Sequence, residues 1–352
     1  DSDAFTGRLR LGYKTASFKG LKAMVEFEGT TALNNEDDYN PYPQAGKTVI
    51  ADPENAELNQ AYLEWSNEDN TIIAGRQRIN FDNQRFVGAV GWRQNEQTYD
   101  AIALVSNAIE NMGLTYAWVD QVNRIFGNDA GGAWERLHTN AHVFNLSFDG
   151  WDFGKISLYD YYLDVENASG ASSNTFGGSI SINKAIGADG DYNLALYGEV
   201  AEQSDAADNP TLFDATYYHL SATVSRAGKS IGLGYEVLGS DDGMASFQTP
   251  LATLHKFNGF ADKFLTTPAD GLEDLYIVAK GKYFDKVTLA AFYHDFKSVE
   301  GGTDLGDEWD FVAAYKYDEN WSALAKYADY NQGEDPTYTD TQRFSIQIDY
   351  KY

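Results

Sequence analysis

From residue 6 onward the chain alternates apolar and polar positions in a two-residue rhythm. In 6–15, Leu9, Leu11 and Tyr13 fall on one face while Arg8, Arg10 and Lys14 fall on the other. A four-residue turn, SFKG, leads to 21–30, where Leu21, Ala23, Val25 and Phe27 alternate with Lys22, Met24, Glu26 and Glu28. Alternation at period two is the signature of a half-buried β-strand. The pattern recurs to the end of the chain and predicts further strands near 58–66, 71–80, 97–105, 112–122, 140–148, 155–164, 174–184, 191–201, 216–226, 230–238, 272–283, 287–296, 309–317, 321–330 and 342–352. That makes seventeen strands and no long helix.

The connections alternate as regularly as the strands. Short ones such as NEDN, DGWDFG, AGK and DEN take turns with long ones near 31–57, 81–96, 123–139, 165–173, 202–215, 239–271, 297–308 and 331–341. Sandwiches and propellers have no reason to sort loop lengths this way. Membrane barrels do, with short periplasmic turns and long extracellular loops. The predicted fold is therefore an all-β transmembrane antiparallel barrel, with the apolar face of each strand toward lipid. The chain ends RFSIQIDYKY, alternating up to the aromatic Tyr352, as the final strand of an outer-membrane barrel does. The expected location is the outer membrane of a Gram-negative bacterium. The expected partners are the bilayer, lipopolysaccharide and, through this last strand, the assembly machinery. The first connection is short and the last strand runs inward, so parity predicts that one strand precedes Asp1, for eighteen in all.

Composition refines this picture. The 352 residues fit one barrel domain, 1–352, because no Pro-, Gly- or Ser-rich linker breaks the chain. Mean hydropathy is -0.46, and no apolar run approaches the length of a membrane helix, yet alternation hides the hydrophobicity of barrel strands. Twenty-four Tyr, twenty Phe and seven Trp are many for so acidic a chain, and Tyr and Trp favour membrane interfaces. The absence of cysteine removes disulfides, thiolate metal sites and Cys nucleophiles together. Asp1 opens DSDAFTGRLR with no apolar leader, so the chain reads as mature, processed or trimmed. A net charge of -27 argues against nucleic acid as a partner.

Against that acidity, Arg76, Arg78, Arg85 and Arg93 cluster within eighteen residues, where two strands meet a loop. On 71–80, Arg76, Arg78 and Asn80 share a face opposite Ile73 and Ile79, which places these arginines toward water, where guanidinium forks suit carboxylate or phosphate. The bland alternative is a wall network in which Asp82, Asp100 or Glu64 neutralises them, and the two roles are compatible. Arg8, Arg10, Lys14, Lys22, Lys326 and Arg343 also face inward, as do Glu26, Glu28, Glu64, Asp310 and Asp349, so the lumen is mixed. The acids otherwise crowd into loops such as NNEDDYN and EQSDAADN.

The stretch TPLATLHKFNGFADKFLTTP, 249–268, breaks the alternation and is apolar for a loop. It reads as a plug or constriction folded inward, as a contact with a neighbouring subunit, or as a self-packed surface loop. Gly228, Ser230 and Gly232 spell G-x-S-x-G, but in a hairpin rather than the strand–turn–helix that a nucleophile elbow requires. His138 and His142 lie too far apart across loop and strand to share a metal. No enzyme, metal site or cofactor is expected.

GRQRINFDNQRF, GWRQNEQTYDA and TPLATLHKFNGFADKF together resemble the alginate export family of outer-membrane barrels, in its porin-like branch. That resemblance implies an eighteen-stranded barrel with an arginine-lined constriction passing an anionic polyuronate by diffusion. Carried over by motif position, Arg76, Arg78, Arg85 and Arg93 are its constriction or lumen arginines, with Asp100 as a bracing carboxylate. The expected function is passive passage of hydrophilic anions, including acidic oligosaccharides, through a monomeric or weakly oligomeric channel. A general, unselective porin is the alternative.

Overall fold

The computed structural model describes residues 2–34, 38–43, 47–187 and 189–352. Seventeen long strands form one antiparallel sheet: β1 Thr6–Lys14, β2 Leu21–Ala32, β3 Asn55–Ser66, β4 Asn70–Gln77, β5 Thr98–Ser106, β6 Met112–Asn123, β7 Arg136–Trp151, β8 Gly154–Leu163, β9 Ser173–Ile186, β10 Tyr192–Asp205, β11 Asp214–Arg226, β12 Lys229–Leu238, β13 Leu272–Tyr283, β14 Val287–Lys297, β15 Asp304–Lys316, β16 Trp321–Gln332 and β17 Thr341–Tyr350. Each pairs with its neighbours in sequence, from β1–β2 to β16–β17. Every strand expected from the alternation is present, though β7 and β15 begin four or five residues earlier than expected and β4 stops at Gln77. The connections sort as expected, two to six residues on one rim and six to thirty-three on the other.

The alternation points outward where it should. Leu9, Leu11 and Tyr13 of β1 are 70–73% exposed, and Phe344, Ile346 and Ile348 of β17 are 66–68% exposed, as side chains facing lipid must be. No hydrogen-bonded ladder joins β1 to β17 among the described residues, although Arg8 on β1 comes within 3.8 Å of Asp349 on β17. Residues 35–37 of the acidic NNEDDYN loop lie outside the described residues.

The interior is filled from the long-loop rim. Two connections, 78–97 and 239–271, turn inward and zip together: Val87 bridges Leu251, Gly88 N–H donates to Leu251 O at 2.9 Å, and Thr253 N–H donates to Gln84 O at 3.1 Å. Phe86 at the centre packs on Tyr159, Tyr217 and Phe247, all but excluded from solvent. Such a buried aromatic cluster supplies the apolar area that holds an otherwise polar loop in place. The second connection leans on the inner faces of the strands that flank and follow it. Asn258 Nδ2 donates to Glu236 on β12 and Asp274 on β13, at 2.8 and 3.0 Å. The backbone N–H groups of Phe260 and Ala261 donate to Asp310 and Glu308 on β15, at 3.2 and 2.6 Å. Gly259 makes that approach possible: its φ is +84, and a Cβ there would lie 2.4 Å from Glu308 Oε2. The 249–268 stretch is thus an inward-folded loop, the first of its three expected readings.

Candidate functional site: a cationic cluster beside the inward loops

Five arginines and a lysine converge where the two loops narrow the lumen. Arg8 and Arg10 project from β1, Arg343 from β17 and Lys326 from β16, while Arg78 and Arg93 come from the connection after β4. Arg10 Nε donates to Glu28 at 2.5 Å, and its fork also reaches Glu96. Arg78 donates to Glu26 at 2.5 Å and to Glu96. Arg8 donates to the carbonyls of Arg93 and Gln94 at 3.2 and 3.0 Å, which ties β1 to the loop. The remaining cations meet at one carboxylate: Asp262 accepts from Arg343 at 2.5 Å, from Arg93 at 3.0 Å and from His255 Nδ1 at 2.6 Å.

Asp262 is only 2% exposed, and burial on its own would raise its pKa. His255, Arg343 and Arg93 outweigh that burial and hold it well below the usual carboxylate range. His255 moves down, chiefly because it is buried, with Lys326 and Arg93 adding to the effect. A neutral imidazole carrying its proton on Nδ1 satisfies both sides, since Nε2 then accepts from the Lys326 ammonium at 2.5 Å. The Lys326 ammonium also lies over the Trp92 ring, 4.8 Å from its centroid. Counting partners, Arg8, Arg10, Arg78, Arg93, Arg343 and Lys326 set six cations against the five carboxylates of Glu26, Glu28, Glu96, Asp262 and Asp349. Each arginine of the cluster is ion-paired, Lys326 rests on His255, and with Asp52 and Asp310 also close to Lys326 the cluster is near charge balance.

Two of the expected arginines stand elsewhere. Arg76 binds Asp100 through a fork, at 2.7 and 2.9 Å. On β5, Asp100 alternates with Tyr99 and Ala101, which are buried inside, and shares the side of Ile102, which is 51% exposed to lipid. Arg76 faces Asp100 and Ala61 across the sheet and so stands outward with them, near the long-loop rim. Arg76 and Asp100 thus depart from the expected lumen position, and Arg76 does not share a face with Arg78, because the strand ends between them. Arg85 is 2% exposed beneath the zipped loops, bound to Glu236 at 2.8 Å and Asn258 at 2.9 Å. It braces loop to wall. Of the four island arginines only Arg78 and Arg93, with side chains 28% and 19% exposed, reach the cluster with Arg8 and Arg10.

The alternation places Arg8, Arg10, Lys326 and Arg343 inward together with Glu26, Glu28 and Asp349, but it does not reach Glu96 and Asp262, the two carboxylates that the inward loops supply. Glu96 lies within the GWRQNEQTYDA motif and Asp262 within TPLATLHKFNGFADKF, so the apolar, glycine-bearing context of both segments was the available signal. The weak enzymatic motifs dissolve in the fold: Ser230 sits in β12 opposite Lys280, and His138 and His142 both lie in β7. Among the described residues no group of three or more His, Asp or Glu could hold a metal ion.

A family profile described as alginate export matches residues 3–228. The chain belongs to the alginate export family. No curated protein matches the sequence. Among solved structures, Pseudomonas aeruginosa OccK9 (OpdG) superposes with a TM-score of 0.76 at 16% identity, over 99% of this chain and 91% of that one. Acinetobacter baumannii OccAB4 gives 0.76 at 14% identity, over 99% and 91%. Pseudomonas aeruginosa OpdK, solved with vanillate, gives 0.76 at 11% identity, over 99% and 93%. At such identities the likeness is one of fold. Family and fold together make this alginate-export-family chain an outer-membrane β-barrel of porin-like build.

Proposed function

We propose that this barrel is a channel for passive diffusion of hydrophilic anions, acidic oligosaccharides among them. The observation that carries this reading is the convergence of six cations beside the two loops that fold into the lumen. A carboxylate passing there can exchange places with Glu26, Glu28, Glu96 or Asp262 on guanidinium donors already oriented for it. Several weak sites in series favour entry without trapping the solute. OpdK, of the same fold, was solved with vanillate, a carboxylate, which accords with carboxylate passage.

The near balance of charge favours a second reading, a general diffusion porin, in which the same pairs only stiffen the wall. The reversal potential of the purified barrel under a salt gradient separates the two, repeated with uronate oligosaccharides on one side. Anion preference with oligosaccharide block supports the proposal; equal passage of both ions without block leaves a general porin. No catalytic role is assigned. The exposed apolar face of β17, followed two residues on by the aromatic Tyr352, is the segment for the assembly machinery to grasp, and lipopolysaccharide surrounds a barrel working as a monomer or weak oligomer.

A further inference from the structure

Of the ten arginines in the chain, nine lie within 4.0 Å of a carboxylate: Arg8, Arg10, Arg76, Arg78, Arg85, Arg93, Arg136, Arg226 and Arg343. Arg124 is the exception among the described residues. It follows β6 in the long connection that leads to β7, on the rim of long loops. Its guanidinium gives one hydrogen bond, Nη1 to Ala133 O at 3.1 Å. It is held in the angle between two rings, 5.5 Å from the Phe126 centroid and 5.4 Å from that of Trp134, themselves edge-to-face at 5.5 Å. Phe126 is buried, whereas Trp134 keeps 43% of its surface open.

The connection is fastened rather than loose. Arg124 N–H donates to Glu135 O at 3.1 Å, closing its base. Gly127, with φ +74, passes so near Asn55 that a Cβ would sit 3.0 Å from the Asn55 Cγ. Asn128 Nδ2 donates to Asn55 Oδ1 at 3.3 Å, so the loop rests on the upper end of β3. Burial lowers the Arg124 pKa to about 10, which leaves it protonated at neutral pH. A guanidinium has five donors, and here most stay unused on a rigid support. At each of the other nine arginines an internal carboxylate already occupies part of the fork; at Arg124 an anion meets no such competitor.

We infer that the Arg124–Trp134 corner is a docking subsite at the extracellular mouth for one unit of an acidic oligosaccharide, the guanidinium taking the carboxylate and the open indole face the sugar ring. This rests on the proposed passage of acidic oligosaccharides and adds to it a named first contact on the outer side. Aromatic ring and guanidinium fork together match a uronate better than they match a simple inorganic anion.

The test uses the full barrel in planar bilayers of zwitterionic phospholipid, comparing the parent with Arg124→Gln, Arg124→Lys and Trp134→Ala. Two readouts are taken: block by uronate oligosaccharide added from either side, and current–voltage asymmetry at about 10 mM salt, where a fixed charge acts over roughly 30 Å. Arg124→Gln should slow the onset of block from the outer side about three- to tenfold and leave inner-side block unchanged. Arg124→Lys should keep the low-salt asymmetry and lose most of the outer-side block, and Trp134→Ala should lose block with the charge intact. Equal outer-side block in the parent and Arg124→Gln overturns the subsite while sparing the channel proposal. If the parent is not blocked from either side, oligosaccharide passage fails and the subsite falls with it; a changed low-salt asymmetry in Arg124→Gln would then still show a free cation at the mouth, open to small anions only.

Discussion

Asp262 is the single carboxylate on which the cationic cluster turns, and Asp262→Asn removes its charge while keeping its shape. The substitution would leave Arg93, Arg343, Arg8, Arg10, Arg78 and Lys326 against four carboxylates in place of five. For an ion passing about 8 Å away, in a mixed protein–water medium with an effective dielectric near 40, one unit charge is worth about 1 kcal/mol. Anions gain this amount and cations lose it. Screening at about 0.1 M salt reduces each effect by roughly half, which leaves a change of about fivefold in the anion-to-cation permeability ratio. The assay is the reversal potential across a tenfold salt gradient in a planar bilayer.

The same substitution loosens the loop, since Arg93, Arg343 and His255 lose a charged acceptor. Hydrogen bonds to charged groups contribute about 1.5–3 kcal/mol each when buried, and less here because Arg93 and Arg343 can reach water. Glu308 and Asp310 still hold the backbone of 260–261, so the loop should flicker rather than leave. Open-channel noise should therefore rise together with anion preference. A permeability ratio unchanged within about twofold, or one moving toward cations, would show that ions do not pass close to Asp262.

Three other outcomes follow from the geometry. Arg78→Ala should shift the reversal potential toward cations by uncovering Glu26 and Glu96, whereas Arg76→Ala, on the outward side with Asp100, should leave it unchanged; equal effects would refute the assigned faces. Arg85→Ala should cost about 3–5 kcal/mol by stranding buried Glu236, read as a lower unfolding temperature in detergent, and Glu236→Gln in the same chain should restore most of it. Burial depresses the His255 pKa, so the stability from its neutral form is present above about pH 6.5 and lost as pH falls below that, by up to about 1.4 kcal/mol per pH unit. Channel noise should accordingly grow from pH 7.5 to pH 5, and a His255→Gln variant with the same pH response would disprove the assignment.

The strands were legible because lipid on one side and water on the other impose alternation at every position, as in Leu9, Leu11 and Tyr13 against Arg8 and Arg10. The error at Arg76 has an equally physical origin. Ile72 and Ile73 offer two apolar candidates side by side, and a slip of one residue exchanges the faces. With Ile73 read as outward, Arg76 falls inside; in the fold Ile72 and Ala74 face out and Arg76 follows them. Arg85 and Arg93 were beyond the reach of periodicity. Their partners, Glu236 and Asp262, lie 151 and 169 residues away, and only the closing of the barrel brings them together.

Pairing does not by itself disqualify the cluster as a selectivity element. A fully neutralised pair presents a passing anion with a partner already occupied, so a wall of one-to-one pairs would discriminate weakly. Here the carboxylates are shared: Glu96 serves Arg10 and Arg78, and Asp262 serves Arg93, Arg343 and His255. Each guanidinium therefore keeps donors that its internal partner does not fill. An entering carboxylate can take those donors while the internal acids shift to neighbouring forks, so little desolvation is left uncompensated at any step. The arrangement that holds the loops in place is thus also one that lets an anion bind weakly and move on, and a binding group that an anion leaves readily is what a diffusion channel requires.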